Sequence, residues 1–269
     1  MTDTGTYDDI AVTLDDYVAI VEIQRPPHNF FDQSLIGQIA DAFEVLDERA
    51  DCRAIVLAAQ GKSFCAGANF GSGRDNDRGS GNFSEDAFEN TTGSLYREAV
   101  RLFSNRTPVV GAIQGAAIGG GLGLALVPDF RVAAPEARFS ANFVKLGIHQ
   151  GFGLSVSLPR LIGRQAANLM LYTGRRLNGQ QALEIGLVDL LAERENLRAE
   201  ATGLAREIAG NAPLAVASVR ATMRQGLAEA VAEATERELS EQKWLRGTSD
   251  AAEGIRAVAE RRPGNFSGA

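Results

Sequence analysis

Two apolar stretches, residues 10–14 and 18–23, flank Asp15-Asp16 and predict a β-hairpin. Behind Asp32, a natural helix cap, Leu35, Ile39, Phe43 and Leu46 recur at helical spacing. The unbroken apolar run 54–59 reads as a buried strand, ended by Gln60-Gly61-Lys62. From about residue 71 to 92 the chain is rich in Gly, Ser, Asp and Asn. It has too little apolar content to order itself there, so a mobile loop is expected. A helix is predicted over 94–104, before Thr107-Pro108, and strands over 109–114, 130–134 and 137–141. From Gly163 onward the pattern is mostly helical, with one short strand near 188–191. Residues 196–259 hold four helices, broken at Asn211-Ala212-Pro213 and Gly247-Thr248-Ser249. Asp250 and Glu253 are spaced as a capping box for the last of them. Strands alternating with helices to about residue 192, then a helical tail, predict an α/β core (1–195) followed by a C-terminal helical subdomain (196–269).

Gly119-Gly120-Gly121 interrupts this pattern between the strand-like run that begins at Val109 and the apolar helix formers that begin at Leu122. Glycines at such a junction let backbone approach a ligand closely, because no Cβ intervenes. The free N–H groups and positive end of the following helix favour negative charge. Known phosphate motifs do not fit: Gly121-Leu122-Gly123 is followed three residues later by Leu126, and Gly121 stands where a phosphate loop needs Lys. There is no G-x-S-x-G elbow and no H-E-x-x-H pair. Two histidines and two cysteines are too few for an ordinary zinc site. A pre-formed oxyanion hole is the reading that remains.

At 269 residues, 45% hydrophobic and 23% charged, the chain has the composition of a soluble globular protein. A net charge of −7 argues against nucleic acid as the main partner. No apolar run reaches a membrane span, and two cysteines make no disulfide framework, so a cytoplasmic setting is expected.

The motifs, in order, resemble the crotonase superfamily, also called the enoyl-CoA hydratase/isomerase family. They run from Arg25-Pro26-Pro27-His28-Asn29-Phe30 through Phe64-Cys65-Ala66-Gly67-Ala68-Asn69 and the triple glycine to Pro128-Asp129-Phe130-Arg131. The run continues through residues 146–163, then Ile185-Gly186-Leu187-Val188, then Glu253-Gly254-Ile255-Arg256. The resemblance implies a spiral of β-β-α units, assembly as homotrimers or dimers of trimers, and acyl-CoA thioesters as substrates. Coenzyme A then enters as part of the substrate, and no separate cofactor or metal is implied. By position the oxyanion donors are the N–H groups of Ala68 and Gly120, while Ala66, Ala68, Asn69, Phe70, Gly120 and Phe143 border the CoA thioester. By the same resemblance Arg25 and Lys62 are candidates to meet CoA phosphates, against the plainer reading of basic residues with no such duty, and His28 lies near the CoA entrance with a backbone or solvent contact expected of it.

The chain departs from the family at the two glutamates that a hydratase uses. Those positions are Gly123 and Phe143 here, so efficient hydration is not expected. Groups of this kind each contribute about 10²–10⁴-fold. His149, six residues past Phe143, is the leading substitute acid–base, since imidazole suits proton transfer near neutral pH. The plainer alternative is that it caps or fills a turn. Glu85, Asp86 and Glu89 form a second candidate set, against a solvated surface, and Cys65 reads as a small packing residue. Two functions follow: a crotonase-type lyase or isomerase working through a thioester enolate, or a catalytically silent acyl-CoA binder. A nucleotide-dependent oxidoreductase is disfavoured by the failed phosphate motifs.

Overall fold

The computed structural model describes residues 5–69 and 92–269. Strands β1 (Ile10–Asp15) and β2 (Val18–Ile23) form the predicted hairpin, closed by Asp16 and Tyr17 at φ 47° and 65°. Positive φ at both turn residues gives the twist that two-residue hairpins need. Helix α1 (Gln33–Asp47) begins where Asp32 accepts from Leu35 N–H, and it buries Leu35, Ile39, Phe43 and Leu46. Strand β3 (Ala54–Ala59) is buried along its whole length, as its unbroken apolar run requires.

Next come helix α2 (Ser94–Phe103), strands β4 (Val109–Ile113) and β5 (Ala116–Ile118), and helix α3 (Gly120–Ala125). Strands β6 (Phe130–Ala133) and β7 (Arg138–Ser140) precede a 3-10 turn, Asn142–Leu146, and helix α4 (Leu154–Thr173). Strand β8 (Leu177–Asn178), helix α5 (Gly179–Glu184) and strand β9 (Leu190–Leu191) complete the sheets. One sheet has the order β1-β2-β3-β4-β6-β9, and a smaller one has β5-β7-β8. Successive turns lay one strand in each sheet and then a helix: β4, β5, α3, and then β6, β7, α4. Cys65 bridges to Ala117 and so extends the smaller sheet from the turn that starts at β3. This is the spiral of β-β-α units that the family resemblance implies.

Four helices follow: α6 (Leu197–Ala209), α7 (Pro213–Met223), α8 (Leu227–Leu245) and α9 (Ser249–Ala259). Helix α6 packs Leu197, Ala201, Ala205 and Ala209 on the sheet face formed by Val18, Val56, Val110 and Val132. Helix α7 is different: its one buried side chain is Arg220, while Leu214, Val219 and Met223 stand exposed. Arg220 ties it down by donating to Asn105 and Asp129.

Two local expectations are corrected. Helix α4 begins at Leu154, ahead of Gly163, and carries Pro159 in its first turns. Pro159 is the sixth residue of the helix, so its missing N–H leaves Ser155 O without the usual i→i−4 donor. Gly163, at φ 77°, marks a kink inside it. The cap of α9 is Thr248, whose hydroxyl accepts from Ala251 N–H, so Asp250 and Glu253 form no capping box. They hold residues 265–268 instead, Asp250 accepting from Ser267 and Gly268 N–H and Glu253 from Asn265 N–H.

Candidate active site

The site is built where the segment after β3 lies beside the end of β5. Asn29, fully buried, donates to Gln60 O and Ser63 O at 2.7 and 2.8 Å and fastens the turn beyond β3. Ala66 N–H donates to His28 O and Phe31 N–H to Gly67 O, which fixes one edge of residues 65–67. On the other edge Cys65 N–H donates to Ala116 O, and Ile118 N–H to Cys65 O at 3.1 Å. Gly67, at φ 86°, then turns the chain so tightly that a Cβ would lie 2.6 Å from Ile118 O and 3.9 Å from Gly120 N. Residues 67–68 are thereby brought alongside Gly119-Gly120.

Gly119 (φ 58°, ψ −124°) anchors the opposite side by donating to Ser140 O and accepting from Leu122 and Gly123 N–H. A Cβ on Gly120 would come within 2.3 Å of Phe31 Cζ, and one on Gly121 within 2.1 Å of Cys65 O. The triple glycine is therefore a requirement of close approach. Among the described residues, the N–H groups of Ala68 and Gly120 donate to no protein acceptor. Unpaired backbone donors are rare in folded proteins, and the first N–H groups of a helix are where an external acceptor can be met.

The two positions without carboxylates are filled by aromatic rings. Gly123 is fully buried, and a Cβ there would lie 2.7 Å from Phe152 Cδ1 and 2.8 Å from Phe152 Cβ. Phe152 packs on Phe31, ring centroids 5.6 Å apart. Phe143 reaches back to the glycine turn, its Cζ standing 3.8 Å from where a Cβ on Gly119 would be. Asn142 Oδ1 stands 3.3 Å from the same point, so this side of the site combines aromatic rings with one side-chain amide.

His149 lies on the turn between Phe143 and Phe152, half-buried. Its Nδ1 donates to Gln150 O at 2.8 Å, since a carbonyl can only accept. That bond fixes the tautomer and leaves Nε2 with the lone pair. The turn is held from behind by groups that sequence reasoning did not identify. Glu238 of α8 is fully buried and accepts from Gly153 N–H at 2.8 Å and Ser155 N–H at 2.9 Å. Burial pushes its carboxyl up to about 7, against the pull of those donors and of the Ser155 hydroxyl. Gln242 donates to His149 O at 2.9 Å and accepts from Tyr96 Oη at 3.1 Å. A signal for both was present: Thr235, Glu238 and Gln242 continue the buried stripe of Leu227 and Val231 along α8.

The remaining expected residues are placed as follows. Ala66, Ala68 and Asn69 are half-buried at the edge of the site. Phe70, Glu85, Asp86 and Glu89 lie outside the described residues. Cys65 is fully buried with its thiol pushed up to about 12 by desolvation, which fits a packing role. His28 makes the backbone contact noted above, and its ring packs on Phe30. The guanidinium of Arg25 is engaged by Asp9 at 2.6 Å and Asp32 at 2.9 Å, which favours the reading without a phosphate duty. Lys62 is exposed.

A family model described as enoyl-CoA hydratase/isomerase matches residues 14–269. The crotonyl-CoA hydratase of Syntrophomonas wolfei is 32% identical over 263 residues, covering 97% of this chain and 98% of the relative. Among solved structures, an enoyl-CoA hydratase/isomerase from Pseudoalteromonas atlantica T6c superposes with a TM-score of 0.81 at 28% identity. That likeness spans 97% of this chain and 100% of the other. An enoyl-CoA hydratase from Mycobacterium avium subsp. paratuberculosis K-10 gives 0.82 at 26% identity, with the same coverage.

Proposed function

The chain belongs to the enoyl-CoA hydratase/isomerase family, and from that premise we propose that it acts on an acyl-CoA thioester through an enolate. The observation that carries this reading is the pair of amides, Ala68 and Gly120, that lie on adjacent segments and donate to no acceptor among the described residues. Loss of an α-proton sends its electron pair onto the thioester oxygen. Two fixed N–H donors stabilise the charge that develops there, one such donor being worth about 3 kcal/mol. His149 Nε2 takes the proton and returns it. Coenzyme A is part of the substrate, and no further cofactor is needed for this step.

With rings at the positions of the two family glutamates, no carboxylate among the described residues stands where the family's water-activating groups do. The reading is thus of a lyase or isomerase of the family with weak or absent crotonyl-CoA hydration. A homotrimer or dimer of trimers is part of the proposal, supported by the exposed Leu214, Val219 and Met223 of α7, and so is a cytoplasmic setting. Among the described residues, no helix is long and apolar enough to cross a membrane.

Two assays test this. Crotonyl-CoA hydration followed by absorbance is expected to be negligible, and turnover comparable to an ordinary hydratase overturns that part. Deuterium exchange at the α-carbon of butyryl-CoA is expected in the parent protein and lost in His149→Ala. Exchange that survives in His149→Ala removes the imidazole from the mechanism. Tight binding of butyryl-CoA with no exchange, and no product from enoyl-, dienoyl- or malonyl-type thioesters, makes the chain a silent acyl-CoA binder.

A further inference from the structure

Helix α8 sends two buried polar side chains, and α2 a third, against one short turn. Glu238 takes up Gly153 and Ser155 N–H, Gln242 grips His149 O, and Tyr96 Oη donates to Gln242. The turn they hold is not one the backbone adopts freely. Phe152 and Gly153 both lie in the left-handed region, at φ 64° and 71°. A bulky residue there persists only where its surroundings over-determine it. The fit is close on the clamp's side too, since a Cβ on Gly151 would lie 1.7 Å from Tyr96 Oη and 2.8 Å from Gln242 Nε2. A polar group buried this deeply is costly unless fully engaged, and both Glu238 oxygens are spent on this turn. The same turn carries the two side chains that define the reacting end of the site, His149 and Phe152. Arg246 at the end of α8 interacts electrostatically with Tyr96.

We propose that Glu238, with Gln242 and Tyr96 completing the clamp, is a positioning residue that sets where the His149 imidazole stands relative to the bound thioester. It touches no substrate; its effect reaches the site through the main chain at residues 149–155. This inference rests on the functional reading of His149 given above. The oxyanion donors are held by other segments, so the clamp acts on proton transfer and leaves thioester binding alone.

The test uses Glu238→Gln and, separately, Gln242→Met in the full chain, with butyryl-CoA as the probe. Three quantities are read: α-carbon deuterium exchange for proton transfer, equilibrium binding for docking, and backbone amide exchange by mass spectrometry for the turn. Both variants are expected to bind butyryl-CoA within twofold of the parent and to lose at least tenfold in exchange kcat. Faster amide exchange over residues 149–155 is expected alongside. A folded variant that exchanges at the parent rate overturns the proposal, as does a parallel loss of binding and rate. If Glu238→Gln does not fold, Gln242→Met decides the matter by the same split. Where the parent shows no α-carbon exchange, or His149→Ala keeps it, the functional reading fails on its own. The clamp is then judged by amide exchange alone, retained protection in both variants counting against it.

Discussion

Replacing Gly123 with Ala tests whether Phe152 occupies the space beside α3. In a helix this change ordinarily stabilises by about 1 kcal/mol, because glycine gives up more backbone freedom on folding. Here the added methyl would meet three atoms of one side chain, Phe152 Cδ1, Cβ and Cγ, at 2.7, 2.8 and 2.9 Å. Two of these sit at the base of the side chain, so rotating the ring does not relieve the clash and the Phe152 backbone must shift. Overpacking of this sort costs about 1–3 kcal/mol, leaving a net loss of up to about 2 kcal/mol after the helix gain. Phe152→Gly removes all three atoms and relaxes the left-handed backbone at that residue, although the lost ring costs about 3–5 kcal/mol. In that background Gly123→Ala is expected to recover its ordinary gain of about 1 kcal/mol. The sign of one substitution therefore depends on the presence of the other residue. Urea unfolding of the parent, both single variants and the double variant, followed by circular dichroism with midpoints compared at constant m, gives the coupling energy. If Gly123→Ala changes stability equally in both backgrounds, Phe152 does not fill that space and the steric argument fails.

Stability should also depend on pH through Glu238. Its carboxyl holds a proton up to about 7 in the fold, whereas an ordinary carboxyl releases it near 4.5, so unfolding between those limits releases a proton. Stability therefore falls as pH rises from about 4 to 8, by about 3 kcal/mol at 1.36 kcal/mol per pH unit, and Glu238→Gln should flatten that part of a melting profile. An unchanged slope in the variant assigns the effect elsewhere. Cys52 and Cys65 are both buried with thiols pushed up to about 12, so neither should react with a disulfide reagent at pH 8 until the protein unfolds. Rapid labelling of either thiol in the folded protein contradicts their burial.

The parts of the fold that the sequence made legible are those with local causes. The hairpin, α1 with its Asp32 cap, and β3 follow from apolar periodicity and turn chemistry within a few residues. Strands β5 and β8, three and two residues long, carry too short a pattern to stand out. Thr248 and Asp250 are equally good caps by composition; which one serves depended on where residues 265–268 fold back and engage Asp250. In the site, the glycine run was readable because only glycine tolerates such close backbone approach, and Phe31 and Cys65 are the neighbours that demand it. Glu238 and Gln242 were not read, since their partners lie 85 and 93 residues away along the chain. Phe152 escaped for the same reason: nothing within residues 151–153 announces Gly123 as its neighbour.

Between β4 and β5 the chain passes from one sheet to the other in two residues, Gln114 and Gly115. Gln114 donates to Ala59 O and Ser63 O, and a Cβ on Gly115 would lie 2.0 Å from Lys62 O. This corner works as a ruler. One extra residue in it would put Ala116, Ala117 and Ile118 out of step with β7 and flip their side chains, since strand faces alternate with every residue. Gly119 and Gly120 would be carried along by the same increment, so the height of the helix mouth above Cys65 is metered by a count of residues at this corner.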